Sequence, residues 1–153
     1  MEKNERKIFL VLLRIALGWL FFYAGYTKLI NPEWSAAGFL SGATSFSGLY
    51  SWLGQAPNIV WVDFLNQWGL TLIGVSLIFG IFTRFASIAG VLLMALYYFP
   101  GLDFPHVDHG FLVDDHIIYI LVLLVFYKTR AGEQFGLDAY LKNQRFFQRS
   151  RAK

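Results

Sequence analysis

Two aspartates and a histidine stand directly in front of a long apolar run, and their types suit acid–base chemistry. The stretch 113–127 reads VDDHIIYILVLLVFY, with Asp114, Asp115 and His116 at its start. A histidine can donate, accept or relay a proton near neutral pH, and a neighbouring carboxylate can orient its ring. Because charged groups within apolar membrane segments are costly and usually functional, we predict catalytic roles for these three residues.

The composition places this triplet in a membrane protein. Of the 153 residues, 56% are hydrophobic and only 15% are charged, whereas soluble proteins carry roughly 25% charged residues. Aromatic residues make up 19%, which is typical of the belts at membrane interfaces. The net charge of +3 does not indicate nucleic-acid binding, because the basic residues lie beside apolar segments, where they mark topology.

The chain contains no cysteine. This excludes disulfides, thiolate nucleophiles and cysteine-ligated clusters. A redox role would therefore require a bound cofactor, with the redox centres supplied by a partner subunit.

The hydropathy pattern predicts one all-α domain, 1–153, built as an integral membrane four-helix bundle. The predicted spans are 8–30, 59–82, 85–99 and 111–128, followed by a tail, 129–153. Pro57 is suited to a helix start before the second span, and Thr83-Arg84 is predicted to form a tight turn. The third span rises only about 22 Å, short of a membrane core of about 30 Å, so we expect it to end below the outer surface.

The connection 31–55 and the tail contain apolar and aromatic residues that suit an interface. The connection is predicted to form a short amphipathic helix in the outer interface or a lid folded over the bundle, and a loop ordered only by its aromatic residues is the alternative. The segment 136–153 is predicted to be a basic amphipathic helix on the cytoplasmic membrane surface.

Lysine and arginine are concentrated on one side of this predicted topology. They occur in the leader 1–7, at Arg84 and from Lys128 onward, whereas the outer connections carry none apart from Lys28 at an edge. By the positive-inside rule, both termini are predicted to be cytoplasmic.

The inward-facing side of each helix can be read from its periodicity. On the first helix Arg14, Gly18, Phe21, Gly25 and Lys28 form one narrow stripe, and its glycines allow another helix to approach closely. The residues predicted to face inward on the second and fourth helices are Gly69, Ser76 and Gly80, and His116, Tyr119, Ile120, Leu123 and Tyr127.

The depth of His116 predicts an outward-open polar pocket. If the fourth helix leaves the membrane core near Lys128, His116 lies about 18 Å above the cytoplasmic interface and roughly 12 Å below the outer one. Charges at that depth need partners or water. We therefore expect the connection 101–113 to dip inward and to form the floor of the pocket.

Five further residues are predicted to bind a ligand between the first and fourth helices. They are Arg14, Lys28, Tyr119, Gly18 and Gly25. For Arg14 the alternative is snorkelling to the cytoplasmic headgroups. For Lys28 the alternatives are an anchor at the outer interface or an ion pair with an aspartate of the triplet.

All three histidines lie within one acidic segment. Asp103, His106, Asp108 and His109 precede the triplet, and imidazole with carboxylate suits zinc or iron. However, the segment has no HExxH pattern and no spacing typical of a known metal site. We therefore predict that it binds no metal.

Four segments resemble the DoxX/DoxD family of small membrane proteins. They are LRIALGWLFFYAGYTKLINPEW at 13–34, GVSLIFGIFTRFASIAG at 74–90, DHIIY at 115–119 and AGEQFGLDAYL at 131–141. The resemblance implies a four-span bundle in a prokaryotic cytoplasmic membrane and a link to quinone-coupled oxidoreductases, because DoxD is the membrane subunit of an archaeal thiosulfate:quinone oxidoreductase.

The family pattern carries over to Arg14, Gly18, Gly25, Lys28, Gly74, Gly80, Arg84, His116, Gly136 and Asp138. One position departs from it. Many relatives hold a glutamate about one turn before the glycine that matches Gly74, and this chain has Leu70 there. Any role of that acid in proton handling is therefore absent here.

Two functions follow as hypotheses. The first is a membrane subunit of a quinone-linked oxidoreductase, with quinone as cofactor and with the lipid bilayer and a redox subunit as partners. The alternative is a non-enzymatic membrane scaffold that binds a lipid or another membrane protein. A homo-oligomer is compatible with either, and a small transporter is disfavoured because the chain shows no inverted repeat.

Overall fold

The computed structural model describes residues 3–107 and 110–142. This part of the chain is mostly helical, with one short hairpin. The elements are α1 (Lys3–Leu29), α2 (Ala37–Ser41), α3 (Ser47–Gly54), α4 (Asn58–Phe79), α5 (Thr83–Tyr98), β1 (His106–Val107), β2 (Gly110–Phe111) and α6 (Asp115–Thr129). Single 3₁₀ turns follow α5 and α6, at Phe99–Gly101 and Ala131–Glu133.

Among the described residues, three helices are long and apolar enough to cross a membrane. They are Asn4–Leu29, Asn58–Phe79 and Thr83–Gly101. The last joins the 16 residues of α5 to the 3₁₀ turn and has 19 residues in all. The α-helical part begins at Thr83 rather than at 85 and rises about 24 Å, so it is short, as expected. The fourth long helix, α6, is also short, since its 15 residues rise about 22 Å.

The late start of α6 has a local cause. Residues 110–111 pair with β1 in an antiparallel hairpin, in which His106 is opposite Phe111. Asp114 then caps the helix, because its carboxylate accepts a hydrogen bond from the Ile117 amide at 3.2 Å. The helix therefore begins at Asp115. The hydropathy pattern had predicted that it would begin at 111.

The turn between α4 and α5 lies at residues 80–82 and not at Thr83-Arg84. Gly80 ends α4 with φ +66°, a conformation that glycine adopts without steric cost. Thr83 is already the first residue of α5. Its amide and that of Phe82 donate hydrogen bonds to the Asp138 carboxylate at 3.0 and 2.8 Å, so a residue of the C-terminal segment caps α5.

The long helices pack in two main pairs, α1 with α4 and α5 with α6. The predicted stripe on α1 faces inward, because four of its residues are buried and the fifth, Lys28, is partly buried. The four buried residues are Arg14, Gly18, Phe21 and Gly25. Close packing of α1 on α4 requires glycine, since a Cβ on Gly18 would lie 2.9 Å from Leu77 Cβ.

The predicted inward face of α4 was less accurate than that of α6. On α4 the buried residues are Asn66, Leu70, Thr71, Ile73, Gly74 and Leu77, whereas Gly69 and Ser76 are only partly buried. On α6 the predicted residue Leu123 is buried, as is Phe126, and the other predicted residues are partly buried: His116, Tyr119, Ile120 and Tyr127. The buried face of α4 is thus displaced by about one residue from the predicted stripe of Gly69, Ser76 and Gly80.

The first outer connection forms a lid over the bundle. It folds as α2 and α3, so the alternative of a loop ordered only by aromatic residues is wrong. Several hydrogen bonds fasten it. The Ala36 amide donates to Asp63 at 2.8 Å, and the Thr44 amide and the hydroxyls of Thr44 and Ser45 donate to the carbonyls of Pro100 and Leu102. The Tyr50 hydroxyl donates to the Leu96 carbonyl at 3.1 Å. Burial at this contact raises the pKa of Tyr50.

The predicted basic tail helix lies largely outside the described residues. The structure describes it as helical over 137–142, and the remainder of the predicted helix, 143–153, is outside. The apolar residues on the outer surfaces of the long helices, such as Trp61 and Phe85, are exposed. Exposed apolar surface of this extent suits contact with lipid.

Candidate functional site

A cavity of about 290 Å³ lies at the end of the bundle covered by the lid. We call it the outer cavity. Residues of α1, α4, α5, α6 and the lid line it: Lys28, Trp34, Ser35, Ala36, Phe39, Asn66, Tyr97 and His116. None of the described residues of the connection 101–113 is among them, so the pocket is covered by the first connection and not floored by the second.

Lys28 is held in the outer cavity by two hydrogen bonds from its ammonium group. Nζ donates to Asn66 Oδ1 at 3.1 Å and to the Tyr97 hydroxyl at 2.9 Å, and it also lies 4.8 Å from the centroid of the Trp34 ring. An ammonium group has three protons. Within the described residues the third has no hydrogen-bond partner, so it is available to a ligand.

His116 lies against Tyr97 and is oriented by Asp114. Its Nδ1 is 2.6 Å from Asp114 Oδ2, and its ring centroid is 5.7 Å from that of Tyr97. The other oxygen of Asp114 accepts from Ile117 in the helix cap, so the backbone fixes the carboxylate that fixes the imidazole. Because the carboxylate accepts the proton at Nδ1, Nε2 is the nitrogen left for a ligand.

The other predicted residues near His116 have different surroundings. Asp115 is exposed. Tyr119 packs with Phe21, at 6.1 Å between ring centroids, and does not line the outer cavity. Gly25 faces the backbone of α4 at Gln67 and Thr71, and Gly18 also packs on α4, so both glycines serve helix packing.

Arg14 lies at the opposite end of α1 and is 1% exposed. Its Nη1 donates to the Ala131 carbonyl at 2.8 Å and, more weakly, to the Gln134 carbonyl at 3.4 Å. Its Nε has no partner among the described residues. The side chain therefore does not snorkel to the headgroups, and it connects α1 to the segment that follows α6.

The surroundings of Arg14 leave no space for a ligand. Gly80 and Gly136 approach so closely that a Cβ on either would lie 2.5 or 2.7 Å from Arg14 Nη1. We call this site, Arg14 with Gly80, Ala131, Gln134 and Gly136, the inner lock.

Of the eight residues that line the outer cavity, only Lys28 and His116 were predicted as site residues. Among the six that escaped prediction, Trp34, Asn66 and Tyr97 contact Lys28. Asn66 and Tyr97 are polar groups near the outer ends of apolar helices, and such groups need a partner. Lys28 is the matching group on α1. The need for a partner could have indicated that these polar residues meet at the outer end of the bundle. It does not specify which of them form pairs.

Leu70, which stands where many relatives hold an acid, is 2% exposed and belongs to the apolar core. The histidines and acids weighed as metal ligands do not come together in the part of the chain that the structure describes, where no three histidine, aspartate or glutamate side chains could hold a metal ion. Asp108 and His109 lie outside it, so the absence of a metal stays a prediction.

The comparisons with known proteins identify the family. No curated protein and no solved structure gives a significant match. The DoxX family model matches residues 9–100, more than half of the chain. The match contains Arg14, Lys28, Asn66 and Tyr97 and ends before His116. The chain therefore belongs to the DoxX family of membrane proteins.

Proposed function

We propose that this protein is a four-span membrane subunit of a quinone-linked oxidoreductase and that the outer cavity binds the quinone ring. One observation carries the proposal. An ammonium, a phenol and a carboxylate-oriented imidazole line a single cavity within an otherwise apolar bundle. Polar groups that converge in an apolar site are typical of ligand binding.

The hydrogen-bonding groups of the cavity suit a quinone. Quinone oxygens accept hydrogen bonds, and the free proton of Lys28 and the Nε2 of His116 are the groups left to meet them. The aromatic rings of Trp34, Phe39 and Tyr97 offer apolar walls for a flat ring. When bound, a quinone would supply the capacity to accept two electrons and two protons.

His116 is proposed to hold and transfer the proton. With Asp114 at Nδ1, the ring can take up a proton at Nε2 and become an imidazolium that the carboxylate stabilises. From that state it donates a hydrogen bond to an oxygen in the cavity, and without the proton it accepts one. Lys28 contributes a positive charge that favours negative charge at the same place.

The electrons must come from another subunit, because the chain has no cysteine to ligate a cluster. The basic residues at 1–7, at Arg84 and after Lys128 support cytoplasmic termini, which places the outer cavity at the opposite face. In this topology α6 is the fourth span. Because α6 is short, its first residues would lie below the membrane surface, where His116 shares the outer cavity with residues of the lid.

The test is chemical extraction of the purified protein. Wild type, His116→Ala and His106→Ala would be purified in mild detergent from a quinone-producing bacterium, and bound lipids would be quantified by mass spectrometry. We expect quinone with wild type and with His106→Ala, whose histidine is exposed on the hairpin, and little with His116→Ala. Phospholipid alone in wild type would contradict the proposal and favour a lipid-binding scaffold.

A further inference from the structure

A second cavity, of about 190 Å³, lies under the lid between α4 and α5. We call it the side cavity. Its lining is almost entirely apolar or aromatic: Ala36, Phe39, Leu40, Tyr50, Leu53, Val62, Leu65, Asn66, Leu93, Leu96 and Tyr97. None of its residues carries a charge, in contrast to the outer cavity.

The two cavities are neighbours. They share the lining residues Ala36, Phe39, Asn66 and Tyr97. Asn66 and Tyr97 also accept hydrogen bonds from Lys28, so the polar end of the outer cavity and the apolar side cavity meet at these two residues. A molecule that filled both would be polar at one end and apolar at the other.

The side cavity also reaches the surface that faces lipid. Leu65 on α4 and Leu96 on α5 line it and are 64% and 50% exposed. The α1 side is closed, because Gly18 and Gly25 hold α1 directly on α4. An apolar chain would therefore leave the bundle between α4 and α5.

We propose that the side cavity holds the first part of the isoprenoid tail of a quinone whose ring lies in the outer cavity. This rests on the function proposed above and makes it more specific. The ligand class is a long-tailed quinone, and its route from the bilayer runs between α4 and α5 rather than between α1 and α6. The lid covers ring and tail together, because Phe39 touches both cavities.

If the tail binds in the side cavity, the affinity for quinones should depend on tail length. Burial of one CH₂ group raises affinity about fourfold, so successive isoprene units should strengthen binding until the side cavity is filled. Quinones of one ring type with zero to four isoprene units would be titrated against the purified protein, and binding would be followed by quenching of tryptophan fluorescence.

Two variants separate the tail from the ring. Val62→Phe adds volume inside the side cavity, and Val60→Phe adds the same group on the exposed face of the same helix. We expect Val62→Phe to keep the affinity for the tail-free quinone and to lose at least tenfold for the long-tailed ones. Val60→Phe should match wild type. Leu96→Phe, at the opening of the cavity, replaces Val62→Phe if that variant does not fold.

Some outcomes would overturn the tail site and leave the proposed function standing. Another outcome would overturn the proposed function itself. If Val62→Phe and Leu96→Phe keep the full dependence on tail length, the tail lies elsewhere, although loss of the tail-free quinone in Lys28→Met would still support the ring site. If Lys28→Met binds every quinone as wild type does, the proposed function fails. Co-purified phospholipid that disappears in Val62→Phe, with quinone affinity unchanged, assigns the side cavity to an acyl chain and overturns the inference.

Discussion

Arg14 and Lys28 lie on the same face of α1, about four turns apart, and they have opposite surroundings. The guanidinium of Arg14 is enclosed by backbone, with two carbonyls as acceptors and two glycines in close approach. The ammonium of Lys28 is held by two side chains from other helices and lies beside a cavity. One basic residue is part of the packing, and the other has room for a partner.

This difference shows how a buried charge can be assigned a role. Both side chains are costly to place in an apolar bundle. At the inner lock the acceptors are main-chain groups that arginine joins across two elements, so the cost is offset within the fold. At the outer cavity the polar groups converge with a proton still available, which is the arrangement that a ligand uses.

The largest effect is expected at the inner lock. Arg14→Met removes charge-assisted hydrogen bonds to two carbonyls and should lower the free energy of unfolding by about 3 kcal/mol, since such bonds contribute about 1.5–3 kcal/mol each. Arg84→Met is the control, because that arginine is exposed and only covers the Tyr127 ring. Thermal unfolding in detergent measures the change. Quinone bound per folded molecule should stay the same, and its loss would place Arg14 in the binding site after all.

The helix contact beside Lys28 should give a smaller loss of stability. In Gly25→Ala the new Cβ would lie 2.5 Å from the Thr71 amide nitrogen and 3.0 Å from the Gln67 carbonyl oxygen. Overpacking of this kind costs typically about 1–3 kcal/mol.

The control for Gly25→Ala is Gly38→Ala, where an added Cβ meets no atom within 4 Å. Its unfolding temperature should equal that of wild type. If Gly25→Ala keeps full stability and loses the quinone, the role in ligand binding that the sequence had indicated would be restored.

Lys28→Met should weaken quinone binding and leave stability nearly unchanged, the opposite of what is expected for Arg14→Met. We expect quinone affinity to fall at least tenfold, about 1.4 kcal/mol, whereas the free energy of unfolding should change by less than about 1 kcal/mol because water in the cavity can bind the released groups. Lys128→Met, an exposed lysine at the other end of the bundle, should change neither quantity. A fall in stability equal to that of Arg14→Met would remove the distinction between the two sites.

The smallest effect concerns an ion pair on the surface beside the inner lock. Lys142 donates a hydrogen bond to Glu133 at 2.6 Å and holds the pKa of Glu133 below its ordinary value of 4.5. The carboxylate therefore stabilises the fold at neutral pH, and this contribution is lost as the pH falls through the lowered pKa. Glu133→Gln should cost less than about 1 kcal/mol at pH 7.

Unfolding measured from pH 7 down to pH 3 tests this ion pair. The difference between wild type and Glu133→Gln should vanish at the acid end, and Lys142→Met should behave like Glu133→Gln. A loss as large as that of Arg14→Met would mean that the ion pair, and not the arginine, secures the inner end.

The sequence predicted well those features that depend on residues close together in the chain. The apolar runs predicted helices, and the α1 stripe of Arg14, Gly18, Phe21 and Gly25 is buried as expected. The predicted helix ends were wrong where a turn or a helix cap determines them. Gly80 places the turn before Thr83, and Asp114 delays the start of α6, so α5 begins earlier than predicted and α6 is shorter than predicted.

By itself the sequence determined a mostly helical membrane protein, its family resemblance and the basic residues that its bundle must accommodate, because length and periodicity of apolar runs are local properties. Only the tertiary structure decided which of those charges meet a cavity. Lys28 binds Asn66 and Tyr97, 38 and 69 residues away, and Arg14 binds Ala131, 117 residues away. Such pairings depend on how helix faces rotate and approach, and α4 packs with a face that its glycine and serine pattern did not indicate.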